Sequence, residues 1–413
     1  MHATRRDFLA AAAGSAAALA LTPYAAYARL GRAGAPLRIL VLGGTGFLGP
    51  HCIEACLARG HHVTTFNRGK TEKRTGHTFE DQANVTKLHG NRDPEKAAEE
   101  TEPEGPDNPK GLAQLAEGEW DAVIDTSGYY PRIVRASAEL LAPRVGQYVF
   151  ISSLSAYGDN STPGDDETAA VGTMEDPTVE NMGDQFQNYG PLKALCEQAA
   201  EAAFPGRTTN VRPGYIVGPG DPTDRFTYWP LRIARGGEVL APGAATDPVM
   251  WIDVRDLAEW IVLAIEQKHV GFFNAIGPEG GSTMGAMLDA CKKASEQDPA
   301  LTWVPAEFLE SQQVSLPIWV PAEGEYAGFH TRSNAKAVAA GMTFRDPVLT
   351  CRDTLDWFPK ELERRIRVTG EMMAEAEKAG KPAPQMGDPT QLRAGIPPER
   401  EAEVLEAWRK QQG

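Results

Sequence analysis

Residues 37–49 read LRILVLGGTGFLG, and the rest of the chain is organised around this stretch. Its apolar run Ile39–Leu42 predicts a strand that is buried on both faces, as in a parallel sheet. A helical pattern follows from His51 to Arg59, and a second apolar run, His62–Phe66, predicts the next strand. This order is typical of an α/β fold in which a doubly wound parallel sheet carries helices on both faces.

Three glycines connect the first strand to the helix. Gly43 allows a tight turn, Gly46 lets the backbone approach a pyrophosphate, and Gly49 lets the helix pack closely on the strand. The first turn of the helix adds free N–H groups and the positive end of the helix dipole. Because the glycines lie between a buried strand and a helix, with a second strand at the expected distance, they predict a Rossmann-type dinucleotide site rather than a plain turn.

The end of the second strand bears on the choice between the two nicotinamide dinucleotides. Sites that select NAD usually place an acidic residue here for the ribose hydroxyls, whereas an arginine favours the 2′-phosphate of NADP. The chain reads Asn67-Arg68-Gly69-Lys70, without an acidic residue. We therefore expect NAD(P) binding with a preference for NADP, the alternative being that Arg68 is an ordinary solvated turn residue.

Later segments predict further strands of the same sheet. These segments are Val85–His89, Trp120–Asp125, Gln147–Ile151 and Gly271–Ala275. Because ligands of such sheets lie at the carboxyl ends of the strands, we expect Asp93 to reach the adenine, and Thr126 and Ser127 to lie under the nicotinamide half.

The N-terminal segment is similar to an export signal. Thr4–Leu9 reads TRRDFL, a twin-arginine pattern, and an alanine-rich apolar run continues to Leu21. Ala26–Ala28 offers a small-residue cleavage site. A chance arginine pair before a membrane anchor is the alternative, but the run is too short and too rich in alanine to span a bilayer well. We therefore expect residues 1–28 to be removed and the protein to be periplasmic after twin-arginine export, with no stable membrane insertion.

Composition limits the classes of partner. The 413 residues carry a formal net charge of −15, which argues against binding to nucleic acid or to an anionic membrane surface. The five cysteines show no spacing typical of metal ligands or of a disulfide framework, so no metal is predicted. The partner that we expect is a small-molecule substrate.

Two further segments make the pattern specific. Tyr189 and Lys193 lie four residues apart and therefore on one face of a predicted helix, and the predicted fifth strand runs into a serine-rich loop with Ser153. With these residues, the chain resembles an extended short-chain dehydrogenase/reductase of the NAD-dependent epimerase/dehydratase type over roughly Leu37–Phe358. The segments that carry the resemblance are Gly43–Gly49, the Ser153 loop, Tyr189–Lys193, Arg212–Gly220 and Trp251–Ala258.

The resemblance implies a catalytic set of Ser153, Tyr189 and Lys193. Tyr189 would take the hydroxyl proton as a hydride leaves the carbinol carbon, which requires its pKa to fall well below the usual value of about 10. Lys193 and the positive nicotinamide ring would favour the phenolate, and Ser153 would hold the same oxygen in line. The residues expected to bind the cofactor are Gly43, Thr45, Gly46, Phe47, Leu48, Gly49, Asn67, Arg68, Asp93, Thr126, Ser127 and Lys193.

Departures from the family pattern narrow the expected reaction. Leu154 and Ser155 stand where the dehydratases of the family carry an Asp-Glu pair, which disfavours sugar dehydration. Val249 stands where nucleotide-sugar epimerases carry an arginine for the substrate pyrophosphate, and Tyr215 replaces an asparagine at the strand-end turn. A nucleotide-sugar substrate is therefore not well supported.

The chain is expected to form a cofactor domain, a substrate lobe and a C-terminal extension. The cofactor domain is predicted at 36–210, with strands contributed from 208–218 and 249–276. Residues 219–358 are expected to form a smaller α/β lobe interleaved with it. Residues 359–413 are expected to form a charged helical extension that packs onto the body or onto a partner subunit of a homodimer.

Substrate contacts are expected from two variable regions. The acidic insertion 159–188 is equally compatible with a solvated loop and with a lid over the pocket. The candidate substrate residues are Ser155, Tyr215, Arg225 and Trp229.

Chemistry and location together favour a redox-neutral reaction. An exported enzyme meets little free NAD(P), so we expect an NAD(P)-dependent epimerase or oxidoreductase that holds its cofactor tightly. It would act on a secondary alcohol of a sugar or polyol derivative. A net dehydrogenase or reductase coupled to an external electron acceptor is the first alternative. The second is a non-catalytic RNA-binding relative, since chloroplast stem-loop RNA-binding proteins resemble this group, but the acidic charge and the intact catalytic set argue against it.

Overall fold

The computed structural model describes residues 35–76, 78–99 and 111–413. The predicted signal segment 1–28 lies outside these residues. Within them, no helix is both long enough and apolar enough to cross a membrane. In the same ranges, no group of three or more His, Cys, Asp or Glu side chains is placed to hold a metal ion.

Strands and helices alternate along the first part of the chain. The strands are β1 Arg38–Leu42, β2 His62–Asn67, β3 Val85–His89, β4 Trp120–Asp125, β5 Val145–Ile151, β6 Thr208–Pro213, β7 Ile216–Val217, β8 Glu238–Pro242, β9 Pro248–Asp253, β10 Gly271–Ala275, β11 Gly277–Thr283 and β12 Ala300–Val304. The α-helices are α1 Leu48–Ala58, α2 Glu72–Thr75, α3 Pro94–Glu99, α4 Pro131–Leu141, α5 Tyr189–Ala203, α6 Tyr228–Ala234, α7 Val254–Glu266, α8 Met284–Ser295, α9 Ala306–Ser311, α10 Ala335–Ala339, α11 Pro347–Lys378 and α12 Pro398–Gln412.

A seven-stranded sheet in the order β10-β6-β5-β4-β1-β2-β3 forms the centre of the molecule, and its neighbouring strands are all parallel. The predicted doubly wound α/β fold of the Rossmann type is therefore confirmed. Leu42 lies beside both Phe66 of β2 and Asp125 of β4. The chain order reverses between β1 and β4, so the carboxyl ends of these two strands flank the crevice where such folds bind ligands.

Apolar residues on both faces of β1 explain its place in the middle of the sheet. Ile39 and Val41 face one side and pack with α1 and α7, whereas Leu40 and Leu42 face the other side and pack with α4 and α5. All four side chains are fully buried. Burying each of them stabilises the fold by about 1.5–3 kcal/mol, which fixes β1 and with it the glycine turn that follows.

The smaller lobe has sheets of its own. β7, β9 and β11 form a three-stranded sheet, and β8 pairs with β12 in parallel. Of the strands in the predicted cofactor-domain segments 208–218 and 249–276, β6 and β10 join the main sheet, whereas β7 and β9 pair within the lobe. Asp253 ends β9 and accepts from the N–H of Arg255, which caps α7. The chain therefore passes directly from the sheet of the lobe to a helix on the main sheet.

Residue 359, where the C-terminal extension is predicted to begin, lies inside the long helix α11. The helix continues through Pro359, although an internal proline removes one backbone hydrogen bond. α12 packs on the smaller lobe of the same chain. Val404 and Leu405 belong to the core of the lobe, and Glu401 lies 2.6 Å from the guanidinium of Arg232.

Candidate active site

A cavity of about 1130 Å³ follows the carboxyl ends of the central strands. It extends from the glycine turn after β1 to Ser153, Tyr189 and Lys193. The residues predicted to bind the cofactor all lie on its wall, namely Gly43, Thr45, Gly46, Phe47, Leu48, Gly49, Asn67, Arg68, Asp93, Thr126, Ser127 and Lys193.

The glycine turn has room for a pyrophosphate. Gly43 has a φ of +106°, and a Cβ there would lie 2.4 Å from Thr126 Oγ1. A Cβ on Gly49 would lie 2.4 Å from Gly44 Cα, so Gly49 lets α1 pack on the turn rather than on the strand itself. A Cβ on Gly46 would meet nothing within 4 Å. Because α1 also has no side-chain cap and no acidic residue in its first turn, its N–H groups are available, and the site fits the diphosphate of NAD(P).

Thr126 and Ser127 hold the glycine turn from the neighbouring strand. The backbone N–H and the hydroxyl of Thr126 both donate to the carbonyl of Leu42, over 3.1 and 3.0 Å. The hydroxyl of Ser127 lies 3.3 Å from the same carbonyl. These bonds fix the carboxyl ends of β1 and β4 to each other on the cavity wall.

In the loop after β2, the nearest carboxylate is turned away from the cavity. Asn67 accepts from the N–H of Gly69 over 2.6 Å and donates to Glu72 over 2.8 Å. Glu72 is buried and also contacts His89, and it is not on the wall. Arg68 is exposed on the wall and pairs with no carboxylate in the described part of the chain.

Asp93 is held by an arginine from α4. Nη1 of Arg132 donates to its Oδ1 over 2.9 Å, and the N–H of Glu95 donates to the same oxygen over 3.2 Å. Burial raises the pKa of Asp93, but the bonds from Arg132 outweigh burial and leave the pKa below its usual value. Arg132 also bonds Glu180 over 2.9 and 2.8 Å. It therefore ties the insertion 159–188 to the part of the cavity where the adenine is expected.

Tyr189 is the first residue of α5 and lies on the cavity wall with Ser153. Burial raises the pKa of Tyr189, and a hydrogen bond with Ser153 and the Arg225 cation are the largest effects that lower it. The net pKa stays above the usual value; the predicted lowering also requires the positive nicotinamide ring, whose charge would add to that of Lys193. Tyr189 is therefore a neutral phenol unless a further positive charge enters the cavity.

Lys193 is buried one turn further along α5. Its Nζ donates to the carbonyls of Gly128 and Ile151 over 2.8 and 2.7 Å and lies 4.6 Å from the centre of the Phe150 ring. Burial lowers the pKa of Lys193 to about 8, with the negative charge of Asp125 opposing in part. Two of the three N–H groups of the ammonium are used in this way, which leaves one for a ligand.

Three of the four candidate substrate residues, Ser155, Tyr215 and Arg225, lie on the cavity wall. The structure corrects the role predicted for Trp229. Its side chain is fully buried in the core of the smaller lobe, and its indole N–H donates to the carbonyl of Pro317 over 2.8 Å. Trp229 is therefore a packing residue that does not reach the cavity.

Sequence reasoning missed a buried ion pair beside the cavity. The two Nη atoms of Arg92 donate to the carboxylate of Asp125 over 2.5 and 2.8 Å, and the hydroxyl of Tyr148 donates to it over 2.7 Å. Burial raises the pKa of Asp125, but Arg92 outweighs burial and lowers it. Arg92 also donates to Ser127 over 3.0 Å, which links the pair to the cavity wall. The sequence did offer one signal for this ion pair, because Asp125 is a charged residue at the end of an apolar strand.

Residues from distant segments also line the cavity without having been predicted. Phe186 brings part of the insertion 159–188 to the wall, and Arg393 comes from the C-terminal extension. Local sequence pattern marks neither residue, because tertiary packing alone brings them to the cavity.

Comparison with known proteins gives one family. The family model described as "NAD dependent epimerase/dehydratase family" matches residues 39–275. This range begins in β1 and ends with β10, so it includes every strand of the main sheet and the segments of Ser153, Tyr189 and Lys193.

Proteins that are similar in sequence include an epimerase family protein and a chloroplast stem-loop binding protein. Epimerase family protein SDR39U1 from Bos taurus is 28% identical over 284 residues, which cover 67% of this chain and 86% of the relative. Chloroplast stem-loop binding protein of 41 kDa b from Arabidopsis thaliana is 26% identical over 291 residues, which cover 68% of this chain and 69% of the relative.

Similar solved structures share the fold. UDP-glucuronic acid 4-epimerase from Bacillus cereus, in complex with NAD, has a TM-score of 0.55 and 14% identity, over 78% of this chain and 99% of that chain. The UDP-Glc/GlcNAc 4-epimerase from Campylobacter jejuni has a TM-score of 0.56 and 16% identity, over 78% and 99%.

Proposed function

Because the chain belongs to the NAD dependent epimerase/dehydratase family, we propose that it is an NAD(P)-dependent enzyme acting on a secondary alcohol of a sugar or polyol derivative. The observation that carries this proposal is that Ser153, Tyr189 and Lys193 share one cavity with the glycine turn. A module that only binds a nucleotide or RNA has no need of the Ser153 hydroxyl beside the Tyr189 phenol.

Different side chains of the cavity would have different roles in alcohol oxidation. Bound NAD(P) would supply a hydride acceptor with a positively charged ring. Ser153 would hold the carbinol oxygen, and Tyr189 would take its proton, for which the phenol must first ionise. Arg225 already lowers the pKa of Tyr189 in part. The remaining N–H of Lys193 would hold a ribose hydroxyl, since its other two N–H groups are fixed by carbonyls.

The substitution Tyr189→Phe tests the proposal. It removes the hydroxyl and keeps the ring, so we expect turnover to fall by at least about 100-fold while NAD(P) affinity is retained. Tyr326→Phe is the control, because Tyr326 is exposed and lies outside the cavity. Wild-type turnover in Tyr189→Phe would contradict the proposed base.

Within this proposal, NADP is favoured over NAD. The exposed cation of Arg68 on the cavity wall supports this preference, as does the position of Glu72, which is turned away toward Asn67 and His89. A 2′-phosphate would meet a positive charge there, and ribose hydroxyls would lack the usual carboxylate.

The proposal also includes a redox-neutral cycle in an exported protein. The twin-arginine pattern at Thr4–Leu9 supports export, and an exported enzyme has little free NAD(P) with which to exchange its cofactor. Oxidation to a transient ketone, followed by return of the hydride to the same substrate, leaves the cofactor unchanged. Epimerisation and bond cleavage through such a ketone both follow this scheme.

Incubation of the cofactor-loaded protein with sugars and polyols, without added nucleotide, tests this scheme. We expect many turnovers with no lasting change in the absorbance band of reduced nicotinamide. Stoichiometric accumulation of reduced cofactor, relieved only by an added electron acceptor, would identify a net dehydrogenase instead.

A further inference from the structure

Two arginines of the cavity wall come from the smaller lobe and the C-terminal extension. The guanidinium of Arg225 lies 4.8 Å from the centre of the Tyr215 ring, and its Nε donates to Thr223 Oγ1 over 3.1 Å. Arg393 donates from Nη1 to the carbonyl of Pro222 over 2.5 Å. Neither guanidinium is paired with a carboxylate of the described residues, so both charges are available to a ligand.

A buried ion pair fixes the position of Arg393. Its backbone N–H donates to Oδ2 of Asp224 over 3.0 Å. Arg365 of α11 holds the same carboxylate with two bonds of 2.7 and 2.6 Å, and Asp224 is fully buried. Because Arg365 already neutralises Asp224, this carboxylate anchors the backbone of Arg393 without cancelling its charge. The C-terminal extension thus forms part of the cavity wall.

A buried carboxyl group lies on the same wall. Asp221 is 1% exposed. Its Oδ1 accepts from the N–H and the hydroxyl of Thr223 over 2.8 and 2.6 Å, whereas its Oδ2 has no partner among the residues that the structure describes. A buried polar atom without a partner destabilises the fold, and a ligand hydroxyl that donates to Oδ2 would remove this cost. Burial raises the pKa of Asp221, and its bonds from Thr223 and the Arg225 cation lower it in part.

From this arrangement we infer that the substrate carries a carboxylate or phosphate on the reacting sugar or polyol itself, bound by Arg225 and Arg393, while a hydroxyl donates to Asp221. Guanidinium groups match the paired oxygens of both anions. Arg225 and Arg393 line the same cavity as Tyr189, which favours an anion on the reacting molecule itself over one on a remote nucleotide. Val249, at the position expected for a pyrophosphate arginine, is fully buried. This inference rests on the proposed function.

Calorimetric titration of the cofactor-loaded protein tests the inference without requiring turnover. The probes are methyl glucuronide, glucose 6-phosphate and the neutral methyl glucoside. We expect one anionic probe to bind more tightly than the neutral one, and Arg225→Ala and Arg393→Ala each to weaken it by about 10–100-fold, the usual loss for a charge-assisted hydrogen bond. Arg393→Lys, which keeps the charge, should lose less. The control is Arg367→Ala, because Arg367 is exposed, pairs with Glu371 and lies outside the cavity.

The outcomes separate the two anions and the two proposals. Preference for the glucuronide identifies a carboxylate, and preference for the sugar phosphate identifies a phosphate. Any of three results overturns the inference. The neutral probe binds as tightly as the anions, neither anion binds, or the arginine variants weaken the binding of all probes equally.

Two further results separate the anion site from the proposed function. Arginine-dependent anion binding without Tyr189-dependent turnover would refute the proposed function alone. Tyr189-dependent turnover of neutral polyols that Arg393→Ala leaves unchanged would refute the anion site alone. Thermal melting of each variant confirms that it is folded.

Discussion

Side chains added at Gly46 and at Gly49 would meet different surroundings, although both residues belong to the glycine turn. We expect Gly46→Val to fold normally and to lose NAD(P) binding, because valine would occupy the open space beside the backbone. We expect Gly49→Ala to lower the free energy of unfolding by about 1–3 kcal/mol, because its methyl group would collide with Gly44. Nucleotide titration and chemical denaturation measure the two effects. Unchanged nucleotide affinity in Gly46→Val would place the pyrophosphate elsewhere.

The substitution Arg68→Ala tests the preference for NADP over NAD. Loss of the guanidinium should weaken NADP by about 10-fold or more and leave NAD nearly unchanged, because only NADP carries the 2′-phosphate. Arg135→Ala, which removes an exposed arginine of α4 outside the cavity, should change neither affinity. An equal effect of Arg68→Ala on both nucleotides would remove the preference for NADP.

At this scale, the sequence could predict residues whose role depends on their own short segment. The glycine turn and the spacing of Tyr189 and Lys193 are of this kind. Whether Trp229 faces a ligand or the core depends on how α6 packs in the smaller lobe. The place of Arg393 depends on a bond to Asp224, 169 residues earlier in the chain. Neither the orientation of Trp229 nor the position of Arg393 can be predicted from the local sequence.

Helix α12 is attached to the smaller lobe by a buried ion pair. Glu401 accepts from Nε of Arg232 over 2.6 Å and from the N–H of Leu240 over 2.9 Å. We expect Glu401→Ala to lower the free energy of unfolding by about 3–5 kcal/mol, because it leaves the buried guanidinium, which also donates to the carbonyls of Gly236 and Glu238, without its carboxylate partner. Glu403→Ala breaks an exposed pair with Arg400 and should cost less than about 1 kcal/mol. Similar losses in both variants, measured by chemical denaturation, would contradict this assignment.

Elements of the main sheet were the most predictable, because a strand buried on both faces must be apolar throughout. Trp120–Asp125 and Gly271–Ala275 have the predicted bounds. The edge strand Val85–His89 also has its predicted bounds, although it is only partly buried and not apolar throughout. β9 is also largely apolar and buried, yet it pairs with β7 and β11 in the smaller lobe. An apolar run shows that a strand is buried, but its neighbours are determined by the path of the whole chain.

For the molecule as a whole, the buried Lys193 makes stability depend on pH. Its pKa is lowered from 10.5 to about 8 by burial. Between these two values the unfolded chain binds more protons than the folded one, so the free energy of unfolding rises with pH. Relative to Lys193→Met, the cofactor-free wild type should gain about 2 kcal/mol between about pH 7.5 and 9.5. Denaturation of both proteins at the two pH values measures this gain, and parallel behaviour would show that the ammonium has its ordinary pKa.

Synthesis on the ribosome proceeds from the N-terminus, and the cavity is completed in the same direction. The last strand of the main sheet ends at Ala275, so the cofactor cradle can assemble while the rest of the chain is still being added. Arg393 is synthesised later, after all the elements from β11 to α11. On the proposed anion site, a nascent chain can therefore hold its dinucleotide before its substrate pocket is complete. A chain that ended before Arg393 would keep the cofactor cradle and bind an anionic substrate more weakly.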